Sequence, residues 1–599
     1  MFKTKAETMM IENMPFELGA LRQAYADGLR PEAVIAEAFR RLDAVGDPGI
    51  FIHEAREIAL AEATALGAFD GRPLWGMPFA VKDNIDVAGM PTTAACPDFA
   101  YAPAADAFVV ARLRAAGAIC LGKANLDQFA TGLVGVRTPY PVPRNAVDPE
   151  IVPGGSSSGS AVSVAHGIAA FSLGTDTAGS GRVPAALNNI VGLKPTLGML
   201  SASGVVPACR TLDTISIFAQ SVADAWDVLA EVSAYDAADA YSRRFPAPRA
   251  SAAPPVVRIG IPDAASLKTF GDDVQAASFQ AAIAQLKADG AVISEIDFSP
   301  FYEAALMLYG GAWVAERIAA IGDRLTDKPE TVHATLREVL EPGLGRTAVD
   351  AFKDIYRLRE LERRCTELMA HVDLLCVPSI PSFVSLKEIE AEPVAANSRL
   401  GTYTNFVNLL DMCAIAVPTE ARSDGRPGSV TLIGRKGHDA LAAAVASSVA
   451  RDGAGSGDAM APEMTDDEIA IAVCGAHMSG LPLNGELTGR GARFLRRCLS
   501  APRYSFYALA GGPPKRPGMV LEQTGGGAVE LEVWALPRTA FGDFIAGIPS
   551  PLGIGTVALE DGSAVKGFIC EAGGLVGAED ITSFGGWRAF LANIASAAS

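Results

Sequence analysis

The sequence predicts an α/β protein that carries a smaller α+β domain at its C-terminal end. Three observations support this. Hydrophobic residues make up 49% of the 599 residues and charged residues 20%, enough apolar material for a large core. That composition excludes disordered, collagen-like and small disulfide-bonded chains. Through roughly the first 450 residues, short strand-like runs bounded by Gly alternate with helical periodicity, the pattern of a layered α/β architecture. A stretch rich in Gly, Ser, Pro and acidic residues, RDGAGSGDAMAPEMTD over 451–466, then separates off a last block. The expected domains are 1–455 and 467–599, the second of an ordinary domain size.

The elements follow in order. Pro31–Val45 reads as a helix with Val34, Ile35, Ala38, Phe39 and Leu42 on one face. Met77–Val81, Ala118–Leu121 and Phe171–Leu173 read as strands between Gly-rich turns. From Asp272 to Asp373 the pattern is helical, as in Ala351–Met369 with its Arg, Leu and Glu at helical spacing. Beyond the linker, Ile469–Val473, Val529–Ala535 and Val565–Cys570 are strand-like, and no internal repeat is visible.

Fifty basic against 68 acidic residues give a formal charge of −18, which argues against a nucleic-acid partner and for small-molecule chemistry. The nine cysteines are scattered, with no Cys-x-x-Cys pair, so neither a zinc ribbon nor a redox motif is indicated. Such cysteines act as small buried apolar groups in a reducing compartment. The segment MFKTKAETMMIENM has no apolar signal-peptide core. The apolar run Ala161–Leu173, which contains Ser163, His166 and Gly167, is too short to span a bilayer. A cytoplasmic protein without a membrane partner is expected. No cluster of ligating residues implies a metal or organic cofactor.

Two motifs look catalytic and fail on inspection. Gly117–Lys123 reads G-A-I-C-L-G-K, but Ala124 stands where a phosphate-binding loop needs a hydroxyl, and the residues between the glycines are apolar. They fit a buried strand ending in a loop. Gly155–Gly159 matches a G-x-S-x-G nucleophile elbow centred on Ser157, yet Pro153-Gly154 rather than a strand precedes it. His333, His371, His438 and His477 follow without a distinctive context in the first block, and His166 reads as a core histidine.

A third set is specific. Gly154-Gly155-Ser156-Ser157-Ser158-Gly159-Ser160-Ala161 is followed by Gly174-Thr175-Asp176-Thr177-Ala178-Gly179-Ser180-Gly181-Arg182, and Lys82 stands upstream in Ala80-Val81-Lys82-Asp83-Asn84. Over roughly residues 25–450 the sequence resembles the amidase signature family. The resemblance implies a mixed central sheet covered by helices and a Ser–Ser–Lys triad. Ser180 is then the nucleophile, Ser156 a bridging serine after a cis peptide, and Lys82 the base. The chemistry fits those residue types. A serine hydroxyl needs a neighbour to take its proton, a buried lysine loses its proton more readily, and a hydroxyl donates and accepts at once. Consecutive amides at Thr177, Ala178 and Gly179 form the expected oxyanion hole.

Within that family the pattern Tyr309-Gly310-Gly311-Ala312-Trp313-Val314-Ala315-Glu316-Arg317, with Thr131-Gly132-Leu133-Val134-Gly135, resembles the allophanate hydrolases. The resemblance implies a carboxylate clamp of Tyr309 and Arg317, with Gly132 lining the pocket. Eight residues apart, a little over two helical turns, Tyr309 and Arg317 can share one helix face. It also implies hydrolysis of allophanate (urea-1-carboxylate) to ammonia and carbon dioxide through an acyl-enzyme and N-carboxycarbamate. A homodimer and a functional link to urea carboxylase are the expected partners, although the sequence does not set the oligomeric state. Where family members often have Gly after the Ser/Thr-Pro-Tyr triplet, Pro141 follows Thr138-Pro139-Tyr140. The last block is similar to the C-terminal domain of these enzymes, whose fold resembles γ-glutamylcyclotransferase-like domains. There His477, in a Gly/Pro loop after a strand, reads either as an acid/base group or as a turn-stabilising residue; Glu571 is its expected companion, and Arg490 an anion-binding group. The alternative is a general amidase with a non-catalytic C-terminal dimerisation module.

Overall fold

A computed structural model of the chain describes residues 11–12, 14–451 and 462–598. They fall into two compact units, Met1–Pro248, Ile259–Asp289 and Ile293–Ala459 in the first, Arg249–Arg258, Gly290–Val292 and Met460–Ser599 in the second. Thus Arg249–Arg258, assigned by sequence to the first domain, packs with the C-terminal block: the Ala252 N–H donates to the carbonyl of Phe494, and Arg493 to that of Ala250. Most of the linker, residues 452–461, lies outside the described residues.

The first unit is built on a mixed sheet of eleven strands. They are β1 (Phe51–Glu54), β2 (Pro78–Lys82), β3 (Ile119–Ala124), β4 (Phe171–Asp176), β5 (Val191–Lys194), β6 (Thr214–Ala219), β7 (Arg258–Pro262), β8 (Val292–Ile296), β9 (Leu374–Pro378), β10 (Cys413–Thr419) and β11 (Gly428–Gly434). Their order is β1-β3-β2-β4-β6-β5-β10-β11-β9-β7-β8. β2 runs parallel to β3 and β4, while β4, β6, β5, β10 and β11 pair antiparallel in succession. Every residue of β2, β3, β4, β6, β10 and β11 is buried, which is why these strands read as unbroken apolar runs rather than as alternating patterns. β2 and β4 are neighbours. Their C-terminal ends carry Lys82 and Asp176, so the parallel pairing alone brings two distant motifs to one edge of the sheet.

The helix Pro31–Val45 begins with Pro in its first turn and stops at Gly46, whose left-handed φ of 59° ends it cleanly. The helical region 272–373 also contains β8, a short strand with half-exposed residues that the helical reading missed. By length and a mean hydropathy of 1.2, Ser299–Ile321 is long and apolar enough to cross a bilayer. It is nevertheless divided at Gly311 into helices Ser299–Gly310 and Trp313–Ile321, and Phe301, Tyr302, Leu308 and Trp313 join the buried core.

The second unit holds a five-stranded sheet in the order Arg493–Leu499, Glu530–Pro537, Glu468–Val473, Ala564–Cys570, Leu552–Ala558, beside a three-stranded one. It has its own core around Ile471, Phe494, Trp534, Phe568 and Trp587.

Candidate active site

Lys82 ends β2 with no exposed surface, and its Nζ lies 2.7 Å from Ser156 Oγ and 2.8 Å from Thr175 Oγ1. Ser156 Oγ lies 2.9 Å from Ser180 Oγ. A continuous hydrogen-bonded chain therefore joins Lys82, Ser156 and Ser180, all of them buried. The peptide between Gly155 and Ser156 is cis. Burial lowers the Lys82 ammonium to about 7, against the opposing pull of Asp127, Asp213 and Asp176. A neutral amine at this position has one lone pair and two N–H bonds. It can donate to Thr175 and accept from Ser156, which leaves Ser156 Oγ free to accept from Ser180. With that polarity the hydrogen bonds run from Ser180 through Ser156 to Lys82.

The turn that follows β4 is held by Asp176. Its carboxylate accepts from the N–H groups of Gly179 and Gly181, both at 3.0 Å, and from Arg182 Nε and Nη2, both at 2.9 Å. Burial works against its ionisation, but Arg182 and these amides keep its carboxyl below the usual carboxylate range. One expected oxyanion donor is therefore corrected. The N–H of Gly179 is committed to Asp176, whereas those of Thr177 and Ala178 meet no acceptor among the described residues. Gly179 serves a different need: at φ 133° it passes Thr404, and a Cβ there would lie 2.4 Å from Thr404 Oγ1. The Thr177 hydroxyl donates to Asp213, whose carboxyl is raised to about 6 by burial.

Gly132 does not reach the relay through a side chain; it lets the chain pass Asp127. A Cβ at Gly132 would sit 2.4 Å from Asp127 Oδ2, and one at Gly155 2.0 Å from the same atom. Asp127 in turn accepts from the N–H groups of Gly135 and Arg137, and its own N–H donates to the carbonyl of Ser156. Thr175, Asp127 and Asp213 are thus working parts of the site that sequence reasoning did not single out. Thr175 stood inside a motif already in view, but Asp127 and Asp213 carry no signal in their local spacing.

Tyr309 and Arg317 do meet, although not as expected. The break at Gly311 puts them on two helices, and the Arg317 guanidinium carbon lies 4.9 Å from the centre of the Tyr309 ring. Arg317 is 1% exposed. Its Nη1 donates to Thr131 Oγ1 at 3.0 Å, while Nε and Nη2, the edge whose two N–H bonds run parallel, have no partner among the described residues. A buried guanidinium with its bidentate edge unpaired can receive a planar anion such as a carboxylate.

The rejected motifs are structural. Lys123, at the end of the loop-like G-A-I-C-L-G-K run, lies in β3 and pairs with the buried Asp83 at 3.2 Å. Ser157 Oγ donates to the carbonyl of Thr175. His166 closes the helix Ser158–Ala165 and is partly exposed rather than in the core.

The chain belongs to the amidase family. The family model for amidases matches residues 33–442, and a second model, described as allophanate hydrolase C-terminal domain, matches 469–592. The solved structure of Kluyveromyces lactis allophanate hydrolase is 41% identical, with a TM-score of 0.76, covering 97% of this chain and all of that one. Urea amidolyase from Saccharomyces cerevisiae is 44% identical over 544 residues, 87% of this chain. The chain spans only 30% of that relative's length. A glutamyl-tRNA(Gln) amidotransferase subunit from Nitratidesulfovibrio vulgaris is 32% identical across 72% of this chain and 96% of its own length.

The C-terminal unit of this amidase-family chain has a cavity of about 290 Å³ lined by His477, Glu486, Pro513, Arg516 and Phe568 among others. His477 Nε2 lies 3.0 Å from Glu486 Oε2, and its ring stacks on Phe568 at 5.0 Å. Burial pushes the imidazole below its usual value, partly opposed by Glu486. The expected companions are corrected. Glu571 is exposed and within 3.5 Å of Ser550, not a cavity residue, and Arg490 is held by Asp543 and by the carbonyl of Glu486. Glu486, from the short helix Asn484–Thr488, is the acid at His477. Among the described residues no group of His, Cys, Asp and Glu is arranged to hold a metal.

Proposed function

We propose that this chain hydrolyses allophanate, with Ser180 as nucleophile, Ser156 as proton relay and Lys82 as base. The observation that carries the substrate assignment is the unpaired Nε/Nη2 edge of buried Arg317 over Tyr309. Allophanate is a small urea with a carboxylate at one end, so such an edge fixes it by that end and leaves the terminal carbamoyl group to react. The relatives named allophanate hydrolase and urea amidolyase support the same reading.

In this mechanism Ser180 Oγ attacks the terminal carbonyl carbon as its proton passes to Ser156 and that of Ser156 to Lys82. The oxyanion receives the N–H groups of Thr177 and Ala178, each donor of this kind contributing about 3–4 kcal/mol to the transition state. Collapse returns the proton along the relay to the leaving nitrogen and releases ammonia. Water, deprotonated through the same chain, then cleaves the carbamoyl ester to N-carboxycarbamate. Loss of carbon dioxide leaves carbamate, so one allophanate yields two ammonia and two carbon dioxide. The deciding assay measures ammonia from allophanate beside malonamide and a hydrophobic amide; strong preference for allophanate is expected, and equal turnover of the three points to a general amidase.

Because the base must be neutral, activity should rise with pH through the Lys82 value of about 7 and level off above it. Below that value log kcat/KM should gain about one unit per pH unit. A profile flat from pH 5.5 to 8.5 would place the base elsewhere.

In the C-terminal unit, His477 with Glu486 is proposed to assist the decarboxylation, in a fold akin to γ-glutamylcyclotransferase-like domains. His477→Ala should leave the first ammonia release intact and delay the second, read at early times and mildly alkaline pH, where spontaneous decarboxylation is slow. An unchanged time course defeats this role. The nine buried free cysteines support a cytoplasmic setting. The exposed Val349, Phe352 and Tyr356 on helix Ala348–Leu368 support a homodimer, and the urea amidolyase relatives support a functional link with urea carboxylase.

A further inference from the structure

Thr131 lies between two buried guanidinium groups. Its hydroxyl accepts from Arg317 Nη1 at 3.0 Å and donates to the carbonyl of Phe129 at 3.1 Å. Its carbonyl accepts from Arg137 Nη1 at 3.2 Å, and its N–H donates to the carbonyl of Gln128. All of its polar atoms are therefore committed, and the side chain is held in one orientation. Arg137 is itself 2% exposed, and its other bond runs from Nη2 to the carbonyl of Pro393 at 2.9 Å. The loop is shaped for this arrangement, since Phe129 and Ala130 both adopt left-handed φ values, 50° and 53°, that L-residues rarely take.

The bond to Thr131 occupies the end of the Arg317 guanidinium opposite its unpaired Nε/Nη2 edge. A planar group anchored at one nitrogen, buried, and with its carbon 4.9 Å from the centre of the Tyr309 ring has little rotational freedom left, so the direction of its free edge is set by the anchor. We propose that Thr131 is a positioning residue for anion specificity: it aims the Nε/Nη2 edge of Arg317 at the substrate carboxylate, and Arg137 holds Thr131 in place through its carbonyl. The inference rests on the reading of Arg317 as the carboxylate receptor. It adds that a neutral hydroxyl, which touches no reacting atom, determines how well the enzyme distinguishes a carboxylate-bearing urea from an uncharged amide.

The test compares Thr131→Val, which keeps the shape and removes both hydroxyl bonds, with Thr131→Ser, which keeps them, in the full chain. Ammonia release from allophanate and from malonamide is measured for both, with Arg317→Ala alongside. Thr131→Val should raise KM for allophanate about tenfold with kcat changed less than about twofold. Its kcat/KM for malonamide should stay near the wild-type value, and Thr131→Ser should recover most of the allophanate KM. Arg137→Met should shift KM in the same direction by a smaller factor. If Thr131→Val loses both substrates equally, or keeps the wild-type KM for allophanate, the positioning role is overturned. If Arg317→Ala itself fails to separate the two substrates, the underlying reading of Arg317 fails instead. Thermal melting of each variant identifies a fold defect, which would depress kcat on both substrates and so also count against the role.

Discussion

Ser180→Ala should lower ammonia release from allophanate by at least about 10⁴-fold, the scale on which nucleophile loss acts in serine hydrolases. The reason is structural as well as chemical. Ser180 Oγ is the end of a hydroxyl chain that runs through Ser156 to Lys82, and the amides of Thr177 and Ala178 flank the same turn. Lys82→Ala should be nearly as damaging at neutral pH, because it removes the acceptor of the relay proton, and Ser156→Ala should interrupt the path between them. The double variant Ser180→Ala/Lys82→Ala should be no worse than either single one, since groups that act as one unit are not additive. Stopped assays on purified protein check this, with circular dichroism to show that the fold is retained. Turnover by Ser180→Ala above about a thousandth of the wild-type rate would remove Ser180 from the nucleophile's place.

Arg317→Ala should raise KM for allophanate ten- to a hundredfold, the equivalent of losing a charge-assisted contact of about 1.5–3 kcal/mol. Malonamide, which lacks the carboxylate, should suffer far less. Arg317→Lys should not rescue, because an ammonium offers a point charge in place of two parallel N–H bonds. Substrate-saturation curves for both substrates decide the matter; equal losses on the two would make Arg317 a structural residue of its helix.

Much of this was written in the sequence. The helix Pro31–Val45 and the cores of β2, β3 and β4 lie where their apolar patterns place them, because local periodicity and turn residues decide them. The strand β8 was hidden by its half-exposed residues, which leave no period-2 signature inside a helical stretch. Lys82, Ser156 and Ser180 were legible because each sits in a short motif of specific residue types. Their meeting within 3 Å depends on the parallel pairing of β2 with β4, a tertiary fact.

The tertiary structure alone decided which atoms are free to act. It committed the Gly179 N–H to Asp176, left the Arg317 edge unpaired, split Tyr309 and Arg317 between two helices, and paired His477 with Glu486 while Glu571 stayed exposed. The sequence could determine which chemical groups the chain owns and where its strands and helices run, since those follow from residue type and neighbours along the chain. Whether a donor is spent or available depends on which acceptor lies within about 3 Å, and in a folded chain that acceptor comes from anywhere along the sequence.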